Sequence, residues 1–217
     1  INTIDDSSFI ICWNDYALQN RYVGHCGRRG CNNHHAGYNY LYDIEYRILD
    51  TNNTTIQNMV VFENNDSNSH KHKVCNPSIG VSNSCYCIVF QYYSHVYAGV
   101  YNSSRTKISG NVQISVTALD EWNYNDCNPK VIESLSQDNF VVAWFDNTHH
   151  TRNFLKRIYV REISSTGSFV TSEIKVDQTD SKEFYYLGQP QIFANDGGYD
   201  LFVIRQDNVN EPNYPVY

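Results

Sequence analysis

The sequence predicts an all-β fold built from repeats of one four-stranded unit. Short apolar runs alternate with clusters of Asn, Gly, Asp and Ser, a pattern typical of strands and turns, and no 11-residue window has a helical stripe. One motif also recurs: VCNPSIG (74–80) returns as DCNPKVI (126–132) and, less closely, as LGQPQIF (187–193). A fixed motif at such spacing is typical of repeat architectures.

Each proline-led segment is predicted to be the first strand of a unit, and a continuously apolar run follows it. Those runs end at Phe90, Trp144 and Ile204. A strand without polar alternation is expected to be covered on both faces. A further run, FIICW, ends at Trp13, and its own proline segment would lie just before Ile1, so the first unit is predicted to lack its first strand.

The third strand of each unit is predicted from an alternating pattern. DIEYRILDTNNTTI (43–56) overlays RIYVREISSTGSFV (157–170), which places Arg47 on Arg161 and Asn53 on Gly167. A second alternating piece follows and completes the unit. Alternation at period two indicates strands that are half exposed.

Counting these strands predicts about three and a half units in one β-propeller-like domain that spans the chain. Four-stranded units at this period are typical of propeller blades, which cannot bury both faces without neighbours. A β-sandwich of two duplicated halves is the alternative. We expect the chain to be a fragment of a larger propeller; the alternatives are a compact ring closed by pairing of its ends and an open piece of a larger array. The predicted units cover residues 1–74, 75–126, 127–187 and 188–217.

Composition argues against two classes of partner. The 217 residues carry a net charge of −7 with an isoelectric point near 5.5, whereas nucleic-acid binding usually requires a basic face. The longest uninterrupted apolar run is FVVAWF (140–145), far shorter than a membrane-spanning segment. No nucleic-acid partner and no membrane span are therefore expected.

Seven cysteines are unusual for a reduced cytosolic protein. Cys26 and Cys31 flank a tight loop, CGRRGC, whose glycines allow the chain to turn back, and we predict a disulfide between them. A metal knuckle is the alternative, although no second CxxC-like pair completes four ligands. The odd count leaves one free thiol or one bond to another chain, and Cys12 and Cys87 are candidates for buried thiols.

The repeated amides suggest a belt along a propeller channel. Asn76, Asn128 and Gln189 each precede a proline, which fixes φ and needs no ladder donor. Amides can bind water, an ion or a sugar hydroxyl, but they cannot supply acid–base catalysis. Because these segments hold only one carboxylate, Glu133, and no catalytic motif is present, we expect no enzyme activity.

Metal binding has weak support in the sequence. His70 and His72 would share one face of a strand, but they lie in a polar loop, and the other clustered histidines are adjacent pairs. The prediction is that there is no metal site and no cofactor, with Ca²⁺ in acidic loops left open. Those acidic loops hold Asp120, Glu121 and Asp126.

Four N-x-[ST] triplets mark candidate N-glycosylation sites. They begin at Asn52, Asn53, Asn65 and Asn102. Asn52, Asn53 and Asn102 all fall at the turn between the third and fourth strands, and Asn65 lies in a polar loop. Glycans on Asn52 and Asn53 would collide, so these two sites are expected to compete.

The third unit resembles a known kind of repeat. QDNFVVAWFD (137–146), followed by IYVREISSTGSFVTSEIKV (158–176) and a proline-led restart, is similar to FVVAW-type propeller-like repeats. Such repeats occur in very large secreted or surface proteins, namely bacterial RTX-type adhesins and surface proteins of ciliate protists. The resemblance implies architecture and an extracellular setting but no particular activity. The cysteines and long loops depart from the bacterial versions, which favours a eukaryotic relative.

These observations predict an extracellular structural or adhesive glycoprotein segment that helps to build a surface assembly or filament. Its expected partners are copies of itself or other chains of the same structure, together with N-linked glycans. The alternative is a carbohydrate-binding propeller module that uses the tyrosines of QYYSHVYAGVY (91–101) and EFYYLG (183–188). A glycoside-acting enzyme is the least favoured hypothesis.

Overall fold

A computed structural model confirms that the chain is all-β. Its described residues form antiparallel sheets and contain no helix. The description covers residues 2–5, 7–19, 25–27, 30–32, 39–62, 74–92, 95–116, 128–135, 138–150, 153–176 and 184–207. Within that part of the chain, no helix is long and apolar enough to cross a bilayer.

Four sheets follow one another along the chain. The first has the order β1-β2-β5-β6 and comprises Asn2–Asp5, Ser8–Gln19, Asn39–Asp50 and Thr55–Phe62. Inserted between its second and third strands is a separate hairpin of β3 (His25–Gly27) and β4 (Gly30–Asn32).

The second and third sheets repeat the four-stranded order. The second comprises β7 (Val74–Val81), β8 (Cys85–Tyr92), β9 (His95–Asn102) and β10 (Val112–Gln113). The third comprises β11 (Lys130–Glu133), β12 (Phe140–His150), β13 (Asn153–Ile163) and β14 (Ile174–Lys175). The fourth sheet has two described strands, β15 (Phe184–Asn195) and β16 (Gly198–Asp207).

The prediction that the first unit lacks its first strand is wrong. β1 pairs with β2 and sets Asn2 opposite Ile10, just as Gly80 stands opposite Cys87 in the second sheet. The residues NTID carry neither a proline nor an apolar run. An edge strand needs only backbone pairing, so its side chains gave no periodic signal.

The core lies between sheets rather than within one of them. Separate clusters of buried side chains join the first sheet to the second, the second to the third and the third to the fourth. Residues 85–91 of β8 are all buried, as expected for a strand covered on both faces. The described sheets do not close into a ring, and a β-sandwich-like arrangement stays an alternative.

One turn recurs after the third strand of each four-stranded sheet. It occupies residues 50–54, 102–106 and 164–168, and its fourth residue has positive φ. Those residues are Asn53 (63°), Arg105 (66°) and Gly167 (80°). The left-handed conformation favours Gly and tolerates Asn, so Arg105 is the unusual occupant.

The first residue of this turn stabilises it through its side chain. A side-chain oxygen there accepts a hydrogen bond from the backbone N–H four residues later in all three copies. The pairs are Asp50 with Thr54 (2.8 Å), Asn102 with Thr106 (2.8 Å) and Ser164 with Ser168 (3.1 Å). Asp, Asn and Ser share this local role because each has a short side-chain acceptor.

Candidate functional site

A buried arginine joins the second and third sheets. Arg161 on β13 donates from Nη1 to the carbonyl oxygen of Ile114 (2.7 Å) and from Nε to that of Thr171 (3.1 Å). Its guanidinium lies 3.5 Å from the ring centroid of Phe169, and only 8% of the residue is exposed. The planar guanidinium thus hydrogen-bonds to carbonyl oxygens of two sheets while it lies over the ring of Phe169.

A lysine makes the corresponding contact between the first and second sheets. Lys107 Nζ lies 3.5 Å from the carbonyl oxygen of Val61, and Asn111 Nδ2 donates to that oxygen at 3.4 Å. Val61 and Ile114 occupy matching positions. Val61 lies two residues after Met59, and Ile114 lies two residues after Val112. Met59 and Val112 are fourth-strand residues that pair with equivalent positions of their third strands.

In the second sheet, Gly99 occupies the position that Arg161 has in the third sheet, and Lys107 makes the contact with the preceding sheet instead. Gly99 lies three residues before its turn, as Arg161 does, and a Cβ on Gly99 would lie 3.2 Å from Lys107 Cε and 3.1 Å from Asn111 Oδ1. The absent side chain leaves room for Lys107, whose ammonium also donates to Asn111 Oδ1 at 2.6 Å. The cation therefore comes from a different strand position but reaches the matching carbonyl.

Serines at the ends of the first strands form a second link between sheets. Ser82 and Ser134 each lie five residues after a proline of the repeated motif. Ser82 Oγ donates to Asp138 Oδ1 of the third sheet (3.2 Å), and Ser134 Oγ hydrogen-bonds to the hydroxyl of Tyr199 in the fourth (2.7 Å). Their regular spacing from the prolines was a signal that the sequence analysis missed.

The turn at Gly167 touches the second sheet closely. A Cβ at this position would lie 2.6 Å from Ser109 Oγ, so glycine is required by space as well as by its positive φ. Ser109 Oγ is buried and has no hydrogen-bond partner among the described residues. This hydroxyl lowers the stability of the contact, because burying a polar group without a hydrogen-bond partner costs free energy.

We expect Ser109→Ala to raise the free energy of unfolding by about 1 kcal/mol, because it removes an unsatisfied hydroxyl while keeping Cβ. Ser82→Ala is the matched control. Its hydroxyl has several partners, and its loss is expected to lower stability by about 1–2 kcal/mol. Urea unfolding of both variants measures the difference; destabilisation by Ser109→Ala would contradict this assignment.

The predicted amide belt is described only in part. Asn76 and Asn128 share a positive φ, 56° and 44°, immediately before their prolines. Asn76 Nδ2 donates to Gln91 Oε1 of the neighbouring strand at 3.4 Å, so its amide is engaged within its own sheet. Gln189 lies in β15, but its side chain is outside the described residues. A belt along a channel stays a prediction.

Glu133, the single carboxylate of the proline-led segments, lies in an open groove of about 370 Å³. Burial raises the pKa of Glu133, as does the nearby Asp138 carboxylate, while a backbone hydrogen bond from Asn83 opposes them. A carboxyl with a raised pKa can act as a general acid. The neighbouring Glu162 accepts hydrogen bonds from Ser134 Oγ and Asn139 Nδ2, which ties it into the fold.

The candidate glycosylation sites differ in accessibility. Asn52 and Asn53 are exposed in the first recurring turn, together with the threonines that complete their triplets. Asn102 takes the place of Asp50 rather than of Asn52, is half-buried, and uses Oδ1 to stabilise its turn. Asn65 lies outside the described residues. The exposed turn at 50–54 is therefore the most accessible candidate.

The hairpin of β3 and β4 sets Cys26 and Cys31 directly opposite each other. Directly opposed residues of antiparallel strands have Cα separations that a disulfide can span. The side chains of this pair are outside the described residues, so the bond stays a prediction.

Cys12 and Cys87 are free thiols, as the sequence predicted, and Cys85, which the sequence did not single out, is free as well. Cys85 and Cys87 lie two apart on one strand, where neighbours on the same face are too far apart to bond. Burial raises the pKa of all three thiols, to about 11 for Cys12, and thereby keeps them in the less reactive protonated form.

Other predicted candidates have no described site. The acidic loop residues Asp120, Glu121 and Asp126 lie outside the described residues, as do His70 and His72. In the part that is described, no three His, Cys, Asp or Glu residues come together as a metal site requires.

The tyrosines of the 91–101 segment contribute to packing. Tyr101 is buried, and its ring stacks on that of Tyr86 with a centroid distance of 5.0 Å. Tyr92 and Tyr97 are half-buried with centroids 5.9 Å apart. Tyr93 lies outside the described residues. The described tyrosines are thus ordinary occupants of packed strands, which gives little support to a sugar-binding surface in this segment.

Comparison with known proteins finds no family model that matches this sequence, and neither a curated protein nor a solved structure matches it. The resemblance to FVVAW-type repeats stays a prediction.

Proposed function

We propose that this chain is a structural segment of an extracellular surface assembly, in which the sheets act as propeller-like blades. The observation that carries the proposal is the repeated contact between successive sheets. At both junctions of four-stranded sheets, a cation of one sheet reaches a matching carbonyl oxygen of the preceding sheet, that of Val61 in the fourth strand or that of Ile114 directly after it. Such a chain of equivalent contacts makes an extended, rigid body, which suits a building block.

Two features support the extracellular setting. The turn at 50–54 presents exposed glycosylation triplets, and the register of the CGRRGC hairpin suits a disulfide. The unpaired thiols do not conflict with an oxidising compartment, because burial shields Cys85 and Cys87 from oxidants.

The carbohydrate-binding alternative has less support. It depends on exposed tyrosines and free channel amides, whereas Tyr101 is buried and Asn76 is hydrogen-bonded to Gln91. Catalysis is also less favoured, because the Asp138 carboxylate near Glu133 accepts a hydrogen bond from Ser82 Oγ and so takes part in a contact between two sheets.

We expect the chain, expressed through a eukaryotic secretory pathway, to carry an N-linked glycan at Asn52 or Asn53. Intact mass before and after enzymatic deglycosylation measures this. Thr54→Ala and Thr55→Ala each destroy one triplet, so each variant alone should keep a glycan and the double variant should lose it. Thr51→Ala, an exposed neighbour outside both triplets, is the control.

An unchanged mass after deglycosylation would count against the glycoprotein part of the proposal. Location needs a separate measurement. An antibody raised against the chain should label intact, unpermeabilised source cells or their secreted material. Labelling that appears only after permeabilisation would overturn the extracellular role.

A further inference from the structure

The outer face of the first sheet carries the counterparts of the residues with which each later sheet contacts the sheet before it. We call it the leading face and define it by Phe9, Ile11, Trp13 and Arg47. Ile11 stands directly opposite Arg47 in the β2–β5 pairing, so both side chains point to this face. Arg47 is exposed, and its guanidinium lies 5.5 Å from the centroid of the Trp13 ring.

The matching positions of the second and third sheets are covered by the preceding sheet. Val142 stands opposite Arg161 as Ile11 stands opposite Arg47, which sets the correspondence. The matching apolar residues are at most 2% exposed, whereas Phe9, Ile11 and Trp13 are half-buried. The covered residues are Tyr86, Ile88 and Phe90 of the second sheet and Phe140, Val142 and Trp144 of the third.

The outer face of the fourth sheet is also exposed, on the side where the earlier sheets contact the sheet that follows them. We call it the trailing face and define it by Phe193 and Phe202, which are 54% and 60% exposed with ring centroids 5.6 Å apart. Their neighbours Ile192 and Leu201 point the other way, into the cluster shared with the third sheet. Two adjacent exposed aromatic rings are typical of an interaction surface.

Positions that match the trailing face are covered by the next sheet elsewhere in the chain. Gly80 corresponds to Phe193, and a Cβ there would lie 3.2 Å from Val131 Cγ2 of the third sheet. Val89 corresponds to Phe202 and is fully buried in the cluster between the second and third sheets. Among the described residues, the trailing face therefore has no neighbouring sheet of the kind that covers the earlier sheets.

We infer that the trailing face of one copy binds the leading face of a second copy, so that the chain associates head to tail. This contact would repeat the packing between successive sheets within the chain. Trp13 and Arg47 of one copy would lie against Phe193 and Phe202 of the other. Two different faces make a heterologous contact, which closes into a ring or extends into a filament. This inference rests on the proposed structural function and specifies its partner.

The test uses sedimentation velocity on the purified chain over a broad concentration range. The unmodified chain should associate as concentration rises. Phe193→Ser/Phe202→Ser blocks the trailing face, and Trp13→Ser or Arg47→Glu blocks the leading face; each of these variants alone should stay monomeric. Val116→Ser is the control, because Val116 is 66% exposed on neither face and its substitution should leave association unchanged.

Mixing the two kinds of blocked variant gives the decisive result. Each still has one intact face of the complementary kind, so the mixture should form one-to-one dimers and nothing larger. Urea unfolding of each variant verifies that it is folded, and Arg47→Glu is the safer leading-face variant because Arg47 is exposed.

Two results would overturn the inference. The unmodified chain could remain monomeric throughout, or blocking the trailing face could abolish association while blocking the leading face leaves it intact, which would indicate a symmetric contact. A chain that is glycosylated and surface-located yet monomeric would overturn only this inference. A chain that associates head to tail but is never exported would instead overturn the proposed function.

Discussion

Arg161→Ala is expected to lower the free energy of unfolding by about 3 kcal/mol. The substitution removes two hydrogen bonds from a charged donor and a cation–π contact with Phe169. Hydrogen bonds to charged groups contribute about 1.5–3 kcal/mol each, and a desolvated cation–π pair about 2 kcal/mol, partly offset by the burial of the guanidinium. The carbonyl of Ile114 also loses its buried partner, which adds to the loss.

Arg47→Ala is the matched control, since Arg47 occupies the same strand position in the first sheet but is exposed. Its loss is expected to cost at most about 0.5 kcal/mol. Arg161→Lys should fall between the two, because lysine keeps the charge and loses the planar fork. Urea unfolding at low protein concentration compares the three; equal losses for Arg161→Ala and Arg47→Ala would contradict a role for Arg161 in the contact between successive sheets.

Raising the pH from 8 to 11 is expected to remove several kcal/mol of stability. Tyr46, Tyr86 and Tyr101 are buried together, and the hydroxyl of Tyr86 donates to that of Tyr46 at 3.0 Å. Burial raises the pKa of all three phenols above the ordinary value of 10.0. The unfolded chain therefore releases these protons first.

The sign follows from proton linkage. A group whose pKa is raised by folding contributes its full stability below the unfolded pKa and loses it as the pH rises above that value. Each such tyrosine should cost up to about 1.4 kcal/mol per pH unit, over the range between its unfolded and its folded pKa. The thiols of Cys12, Cys85 and Cys87 act in the same direction from about pH 9, their ordinary value being 9.0.

Urea unfolding at a series of pH values measures this loss, and tyrosinate absorbance reports ionisation independently. We expect tyrosinate absorbance from the buried phenols to appear together with unfolding. Tyr101→Phe should reduce the alkaline loss, because it removes one titrating phenol while keeping the ring that stacks on Tyr86. Equal stability at pH 8 and pH 11 would show that these phenols are not held neutral by the fold.

Local patterns in the sequence were sufficient to predict the all-β class and the third-strand correspondence. Strand alternation and turn residues depend on neighbours within a few positions, so a single sequence carries them. The alignment of Asn53 with Gly167 rested on such a pattern, and both residues have positive φ in the same turn. β1 escaped prediction because backbone pairing alone defines an edge strand.

By itself, the sequence determined the strand class and the recurring turns of this protein, because strand periodicity and turn chemistry are local. Tertiary structure alone decided the contacts between successive sheets. Lys107 and Val61 are 46 residues apart, and Arg161 and Ile114 are 47 apart. The exchange of Arg161 for the pair Gly99 and Lys107 preserves a contact, not a residue type, so no local pattern records it. Which carbonyl a cation satisfies depends on how the sheets pack, because the electrostatic contact acts through space and not along the chain.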